Sequence, residues 1–291
     1  MSTPALLACI EAIERDASLH RPERLSERIE AMDRLDTLLA GDENSPLGER
    51  VASLLARLEA ANQAVYRDIR TAIRDGAGRT AMREWMHALA RTVRMPHDDN
   101  SYDALDMLLA GVLALDEPAG AGAPLPADMV FYQPTPARHI LDLVDRAALD
   151  AADVLVDLGS GLGHVPLLAS ICTGACGIGI ERDAAHVACA RRCAASLGLH
   201  VDFIAQDARM ADLSAGTVFY LYTPFGGPVL RRVLNMLKHE AATRAIRVAT
   251  LGPCTATVAD EPWLLPAGVP QPDRVALFHS FTRDFPGAAP A

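Results

Sequence analysis

VLVDLGSGLGHV, residues 154–165, is the stretch on which the fold turns. An apolar run of strand type meets Asp157, passes through glycines at alternate positions, Gly159, Gly161 and Gly163, and gives way at His164 to a segment of helical character. A strand that enters a glycine turn and opens a helix lets backbone amides and the helix N-terminus approach a ligand, because no side chain stands between them. Dinucleotide sites use GxGxxG, whereas the spacing here is GxGxG, with His164 where the third glycine would fall. A P-loop is excluded as well, since no GK[ST] follows. Pro166 lies in the first turn of the helix, where a missing amide is harmless.

Downstream, strand-like runs at 177–180, 201–205, 217–222, 246–251 and 274–281 join the run at 154–158 and alternate with helical segments at 136–147, 164–173, 183–197 and 228–240. Such alternation predicts right-handed crossovers and a mostly parallel, Rossmann-like α/β sheet with helices on both faces. Residues 252–273 hold five prolines and read as loop, with a short strand at 263–265 and no helix before the last strand. The terminal FPGAAPA, residues 285–291, reads as a frayed tail.

Two acids narrow the ligand. Glu181 ends the strand of GIGIERD twenty residues after Gly161, where a carboxylate accepts from both hydroxyls of a ribose. That much fits NAD or S-adenosyl-L-methionine. Asp207 ends the strand of VDFIAQDA on the same edge of the sheet, able to accept from an adenine amino group. Over residues 130–281 the chain thus resembles the class I S-adenosyl-L-methionine-dependent methyltransferases. The resemblance implies that Asp157, Gly159, Ser160, Gly161 and Gly163 surround the methionine part of the cofactor. It implies also that Glu181 binds the ribose and that Asp207 with the Ala208 amide reads adenine.

A narrower resemblance lies in FYQPTP, residues 131–136. It is similar to the YxPT segment of lysine methyltransferases related to the disruptor-of-telomeric-silencing histone enzyme, in which Tyr132 and Thr135 would close over the cofactor's methionine end. A plainer reading makes Thr135 the N-cap and Pro136 the first residue of a helix. The fourth motif, TVFYLYTPFGG at 217–227, departs from that family and leaves lysine as acceptor in doubt.

Methyl transfer from a sulfonium is an in-line displacement, in which alignment supplies much of the rate. Tyr222, Thr223, Pro224 and Phe225 end the fourth strand and are the candidates for acceptor contact, with Tyr222 and Thr223 nearest the chemistry. Their competing reading is a turn with strand-end packing. His164 reads as a local helix-start side chain, and His279 carries less signal still. His97, Asp98 and Asp99 are adjacent and point apart, as in a solvated loop before a helix capped by Ser101. Cys172 with Cys176, and Cys189 with Cys193, form CxxxC pairs on two helices. Small thiols filling alanine-rich contacts explain them better than zinc, and no metal is expected.

Residues 1–115 read as an all-helical module of four or five helices. Leu25, Ile29, Met32, Leu35 and Leu39 share a face, and Gly41 closes that helix. Ser45 and Pro46 open a long helix running to a stop at 75–78, and Thr80 caps the next. Residues 116–129 are a proline- and glycine-rich linker, and 130–284 form the methyltransferase domain. The helices would cover the active site or build a homodimer contact. A net charge of −10 argues against nucleic acid as partner, no run has the length of a membrane span, and the N-terminus has no signal-peptide pattern. Six cysteines are too few for a disulfide scaffold, and the expected location is the cytoplasm. The expected activity is methyl transfer to a small metabolite or a protein side chain. The alternatives are a non-catalytic S-adenosylmethionine-binding regulator or scaffold, and an NAD-dependent oxidoreductase.

Overall fold

The computed structural model describes residues 3–39, 46–90, 103–115, 133–222 and 225–281. The chain divides into two compact units, the first closing at Ala114 and the second beginning at Leu115.

In the first unit α1 (Thr3–Arg15), α2 (Leu25–Leu39), α3 (Pro46–Arg74), α4 (Gly78–Ala90) and α5 (Ala104–Leu113) are helical. Leu6, Ile10 and Ile13 of α1 bury against Ala31 and Leu35 of α2 and Val51, Leu54 and Leu58 of α3. The buried stripe of α2 differs from the expected face, because Arg28 is wholly buried while Ile29 is only half-buried. Its guanidinium donates to the carbonyls of Leu19 and Arg21 and to Asn62 Oδ1, tying the turns before α2 to α3. Short turns leave carbonyls with spare acceptor capacity, and a long cation satisfies several of them together. Two capping expectations are corrected. Helix α4 begins at Gly78, ahead of Thr80, and α5 is capped by Asp103 in a reciprocal box with Asp106. Gly41, Ser45, His97, Asp98, Asp99, Ser101 and the 116–129 linker lie outside the described residues.

The second unit is a seven-stranded sheet of β1 (Val154–Leu158), β2 (Cys176–Glu181), β3 (Val201–Ala205), β4 (Val218–Tyr222), β5 (Arg247–Leu251), β6 (Leu264–Pro266) and β7 (Ala276–Ser280). Their order is β3-β2-β1-β4-β5-β7-β6. Strands β1 to β5 run parallel, and β7 is antiparallel to both β5 and β6. The helices are α6 (Ala137–Arg146), α7 (His164–Thr173), α8 (Ala184–Leu197), α9 (Gly227–Ala241) and α10 (Cys254–Ala259). Right-handed crossovers leave the centre of the sheet in two directions, so α7 and α8 cover one face and α9 the other. On the α9 face Val156, Leu158, Phe219, Leu221, Val248 and Phe278 pack against Val233, Leu234 and Leu237. The fold expected from the sequence, a Rossmann-like sheet that follows an all-helical module along the chain, is the fold found.

The amino-terminal edge of the sheet is tied by a buried acid. Asp153 accepts from Thr217 Oγ1 at 2.7 Å and from Arg247, whose other nitrogen donates to the Ala147 carbonyl at the end of α6. Three details depart from expectation. Residues 252–273 contain α10, whose Val258 is fully buried, so the proline count concealed a short helix. Helix α6 takes Pro136 as its N-cap without a side-chain bond, and Thr135 is buried instead of capping. Cys176 opens β2 and is exposed, while Cys189 and Cys193 are buried within α8.

Candidate active site

Strand order reverses between β1 and β4, since the chain proceeds from β1 outward through β2 and β3 and then returns to build β4 and β5 on the other side. Open α/β sheets bind ligands beyond the carboxyl ends of their strands at such a switch point. The glycine turn leaves β1 there, Glu181 ends β2, Asp207 follows β3, and Tyr222 ends β4.

Each glycine of the turn has positive φ, 92° at Gly159, 52° at Gly161 and 86° at Gly163. That backbone favours glycine at all three places. The Gly159 and Ser160 amides both donate to the Ile180 carbonyl, at 2.8 and 3.0 Å, which anchors the turn to β2. The Gly161 amide donates to Glu181 Oε2 at 2.9 Å, and Glu181 Oε1 accepts from the Asp183 amide at 2.8 Å. Turn and acid are therefore one unit. A carboxylate has about four acceptor positions, so Glu181 keeps capacity for a ligand's hydroxyls. Phe203 was not among the residues singled out from sequence. Its ring fills the space a Cβ would take on Gly163 and Gly179, and it thereby supports the turn from beneath.

Asp157 is 4% exposed, and burial, with the charge of Glu181 adding to it, pushes its carboxyl up to about 8. Tyr220, its register partner on β4, is 1% exposed and its hydroxyl has no hydrogen-bond partner. Thr135 lies beside that phenol without closing a bond, and burial pushes the phenol well above its ordinary value. Ser160 Oγ is likewise buried and unpartnered. Tyr220 was not among the residues singled out from sequence, because an aromatic inside an apolar strand reads as core. His164 retains some solvent contact although densely surrounded, as a residue lining a concavity does, and burial pushes its imidazole down to about 4.

Asp207 caps the turn Ala208–Met210, and Arg209 binds both its carboxylate oxygens, holding it down at about 2. As placed, its acceptors serve Arg209. The pair is a third to a half exposed, and surface ion pairs of this kind are weak, so a ligand can displace the guanidinium. Ala208 is buried against the same turn.

Tyr222 is half-buried, and its phenol is pushed up by burial while Arg138 on α6 opposes the shift. Arg138 also lines a groove of about 270 Å³ with Asp142, Arg146, Asp273 and Arg274. Phe225 is 6% exposed and packs with Leu221 and Val229 in the α9 core, on the opposite sheet face from Asp157 and Tyr220. Tyr132, Thr223 and Pro224 lie outside the described residues. His279 sits in β7 opposite Arg247, at the far edge of the sheet from the glycine turn. Among the described residues no group of three metal-ligating side chains converges, and no helix is long and apolar enough to cross a membrane.

No family model matches the chain, and no curated protein matches it. Solved structures do. One is an RNA methyltransferase from Salinibacter ruber in complex with S-adenosyl-L-homocysteine, 26% identical over 54% of this chain and 98% of that one, with a TM-score of 0.43. A second is an S-adenosylmethionine-dependent methyltransferase from Thiobacillus denitrificans, also with S-adenosyl-L-homocysteine, 23% identical over 41% of this chain and 50% of that one, with a TM-score of 0.35. A third is a geranyl diphosphate methyltransferase in complex with sinefungin, 18% identical over 39% of this chain and 45% of that one, with a TM-score of 0.33.

Proposed function

We propose that the chain is an S-adenosyl-L-methionine-dependent methyltransferase acting on a small metabolite or a protein side chain in the cytoplasm. One observation carries the reading: the Gly161 amide and the Glu181 carboxylate are bonded to one another at the switch point. A turn whose three glycines leave its backbone open and an acid with free acceptor positions then meet at one place, as an adenosyl ligand requires. NAD fits less well. The position of the third dinucleotide glycine holds His164, whose imidazole is already enclosed there.

The residues fit the cofactor in kind. Glu181 has acceptors for a ribose, Asp207 and the Ala208 amide have donor and acceptor for adenine once Arg209 moves, and Asp157 with Ser160 offers polar atoms for the methionine end. When bound, S-adenosyl-L-methionine supplies a methyl group activated by a positive sulfur. The chain's own part is to position and to exclude water. Tyr222 orients an acceptor with its hydroxyl, the neighbouring Thr223 and Pro224 are the sequence candidates for further acceptor contact, and Phe225 is anchored in the apolar core. A general base is required only where the acceptor must lose a proton.

Calorimetry tests the cofactor. Binding of S-adenosylhomocysteine with no binding of NAD is expected, and the reverse overturns the reading. Transfer of tritiated methyl into a lysate then divides an enzyme from a non-catalytic binder, and the mobility of the labelled product divides a small acceptor from a protein.

A further inference from the structure

Helix α6 carries Arg138, Asp142 and Arg146 four residues apart, and that spacing sets all three on one face over about 12 Å of helix. The helix runs back along the sheet from the carboxyl end of β4. Thr135, just before it, lies beside the Tyr220 phenol, and Ala147, just after it, gives its carbonyl to Arg247 at the start of β5. A second strip of chain comes to the same place. Tyr222 pairs with Leu251 of β5, the next amide, that of Gly252, donates to the Pro272 carbonyl at 2.8 Å, and Asp273 and Arg274 follow before β7 begins at Ala276. Helix α6 and this strip together line the groove of about 270 Å³. His139, only 6% exposed, is part of the lining, so the groove is cut into packed protein and is not merely a row of solvated surface charges.

Three guanidiniums therefore converge in a chain whose net charge is −10. The two acids of the groove do not cancel them. Asp142 accepts from Arg146 Nε at 2.7 Å, which leaves Asp273 against both Arg138 and Arg274. Among the described residues neither Asp273 nor Arg274 is in a salt bridge. A guanidinium presents paired donors that match the oxygens of a carboxylate or a phosphate. The volume sits at the lower limit for small-ligand pockets, and a polynucleotide would need a longer basic track than three arginines, one of them already paired.

We propose that this groove seats an anionic group, a carboxylate or a phosphate, of a small-molecule methyl acceptor, with Arg138 and Arg274 holding the anion and Tyr222 beside the atom to be methylated. The proposal rests on the cofactor reading above and narrows its acceptor from a metabolite or a protein side chain to a small acid. Arg138 joins the two parts, since it lines the groove and its charge acts on the Tyr222 phenol. An acid held at two fixed cations reaches the end of β4 with one end immobilised, and that restriction is what alignment for in-line displacement needs. The groove holds one end of the acceptor, and contacts to the remainder fall to other parts of the chain.

Calorimetry on the intact protein loaded with S-adenosylhomocysteine tests the seat, with inorganic phosphate and acetate titrated separately at constant ionic strength in chloride. One saturable site is expected, weakened roughly tenfold or more by Arg274→Gln and by Arg138→Gln and restored in part by Arg274→Lys. Arg232→Gln, which alters an exposed arginine of α9 on the other face of the sheet, should leave it unchanged. Arg274→Gln should also leave S-adenosylhomocysteine affinity unchanged. Tighter binding of phosphate assigns a phosphate ester, and tighter binding of acetate a carboxylic acid. In a low-molecular-weight extract, tritiated methyl should enter a product that an anion exchanger retains, because the seated anion is not the atom methylated. Arg274→Gln should raise the KM for the acceptor far more than it lowers kcat. Label in protein or RNA with none in small acids, or anion binding that neither arginine variant weakens, overturns the seat and leaves the cofactor reading standing. Absence of S-adenosylhomocysteine binding overturns the cofactor reading and the acceptor role of the groove with it, whichever way phosphate titrates.

Discussion

Asp157 ionises near pH 4 in an unfolded chain and near pH 8 in the folded, ligand-free one. Folding therefore takes up a proton across that interval, and stability falls as pH rises from about 4 to about 8 and is flat above it. Between pH 5 and 8 the ceiling is on the order of 4 kcal/mol, with relaxation reducing it to about 2 kcal/mol. Urea unfolding of the ligand-free protein should show this loss, and Asp157→Asn should unfold with a midpoint far less dependent on pH. An identical pH dependence in the variant would remove the assignment. Glu181 acts through a hydrogen bond, since its carboxylate accepts from the Gly161 amide. Glu181→Ala deletes that bond together with the ribose acceptor. A hydrogen bond to a charged group contributes about 2 kcal/mol, so S-adenosylhomocysteine affinity should fall roughly 30-fold. Unchanged affinity in a calorimetric titration would sink the ribose role of Glu181.

The elements show what a sequence pattern conveys and what it hides. The β1, β3 and α7 boundaries were readable to the residue, because short runs rich in β-branched and apolar residues, bounded by turn residues and a glycine turn, leave little choice of conformation. Helix α10 was not readable, since it is six residues long, lies among prolines and makes its case only through tertiary burial of Cys254, Thr255 and Val258. The same limit hid Tyr220 and Arg28, whose polar ends acquire meaning only from neighbours distant in sequence. Phe203 reads as a strand core residue, yet its ring is what makes glycine necessary at 163 beyond the positive φ. Gly163→Ala should therefore cost about 2–4 kcal/mol, part from the left-handed backbone and part from a Cβ driven into the ring. Combining it with Phe203→Leu relieves only the second part. In a double-mutant cycle followed by urea unfolding, a coupling of about 1 kcal/mol or more is expected, and strict additivity would show that the ring does not police this position.

At the scale of the whole molecule, the described candidates for cofactor contact all fall in the second unit, from Thr135 to Ala208, and that unit has its own sheet and core. The helical unit has a separate core built from α1, α2 and α3, with Arg28 joining its turns to Asn62. Two cores of this kind are expected to fold with little dependence on one another. Cofactor binding and acceptor choice are then separable functions, because specificity is commonly added outside a shared cofactor fold. Removing residues 1–114 should leave S-adenosylhomocysteine affinity within about threefold, a change of about 0.7 kcal/mol or less. Methyl transfer to the acceptor identified with the full chain should fall by two orders of magnitude or more, about 2.7 kcal/mol of transition-state stabilisation. Loss of cofactor binding from a shortened chain that still melts cooperatively would mean that the helices complete the cofactor site. Full transfer activity from the same chain would mean that acceptor contacts reside wholly in the sheet unit, and the search for them would narrow to the ends of β4 and β5.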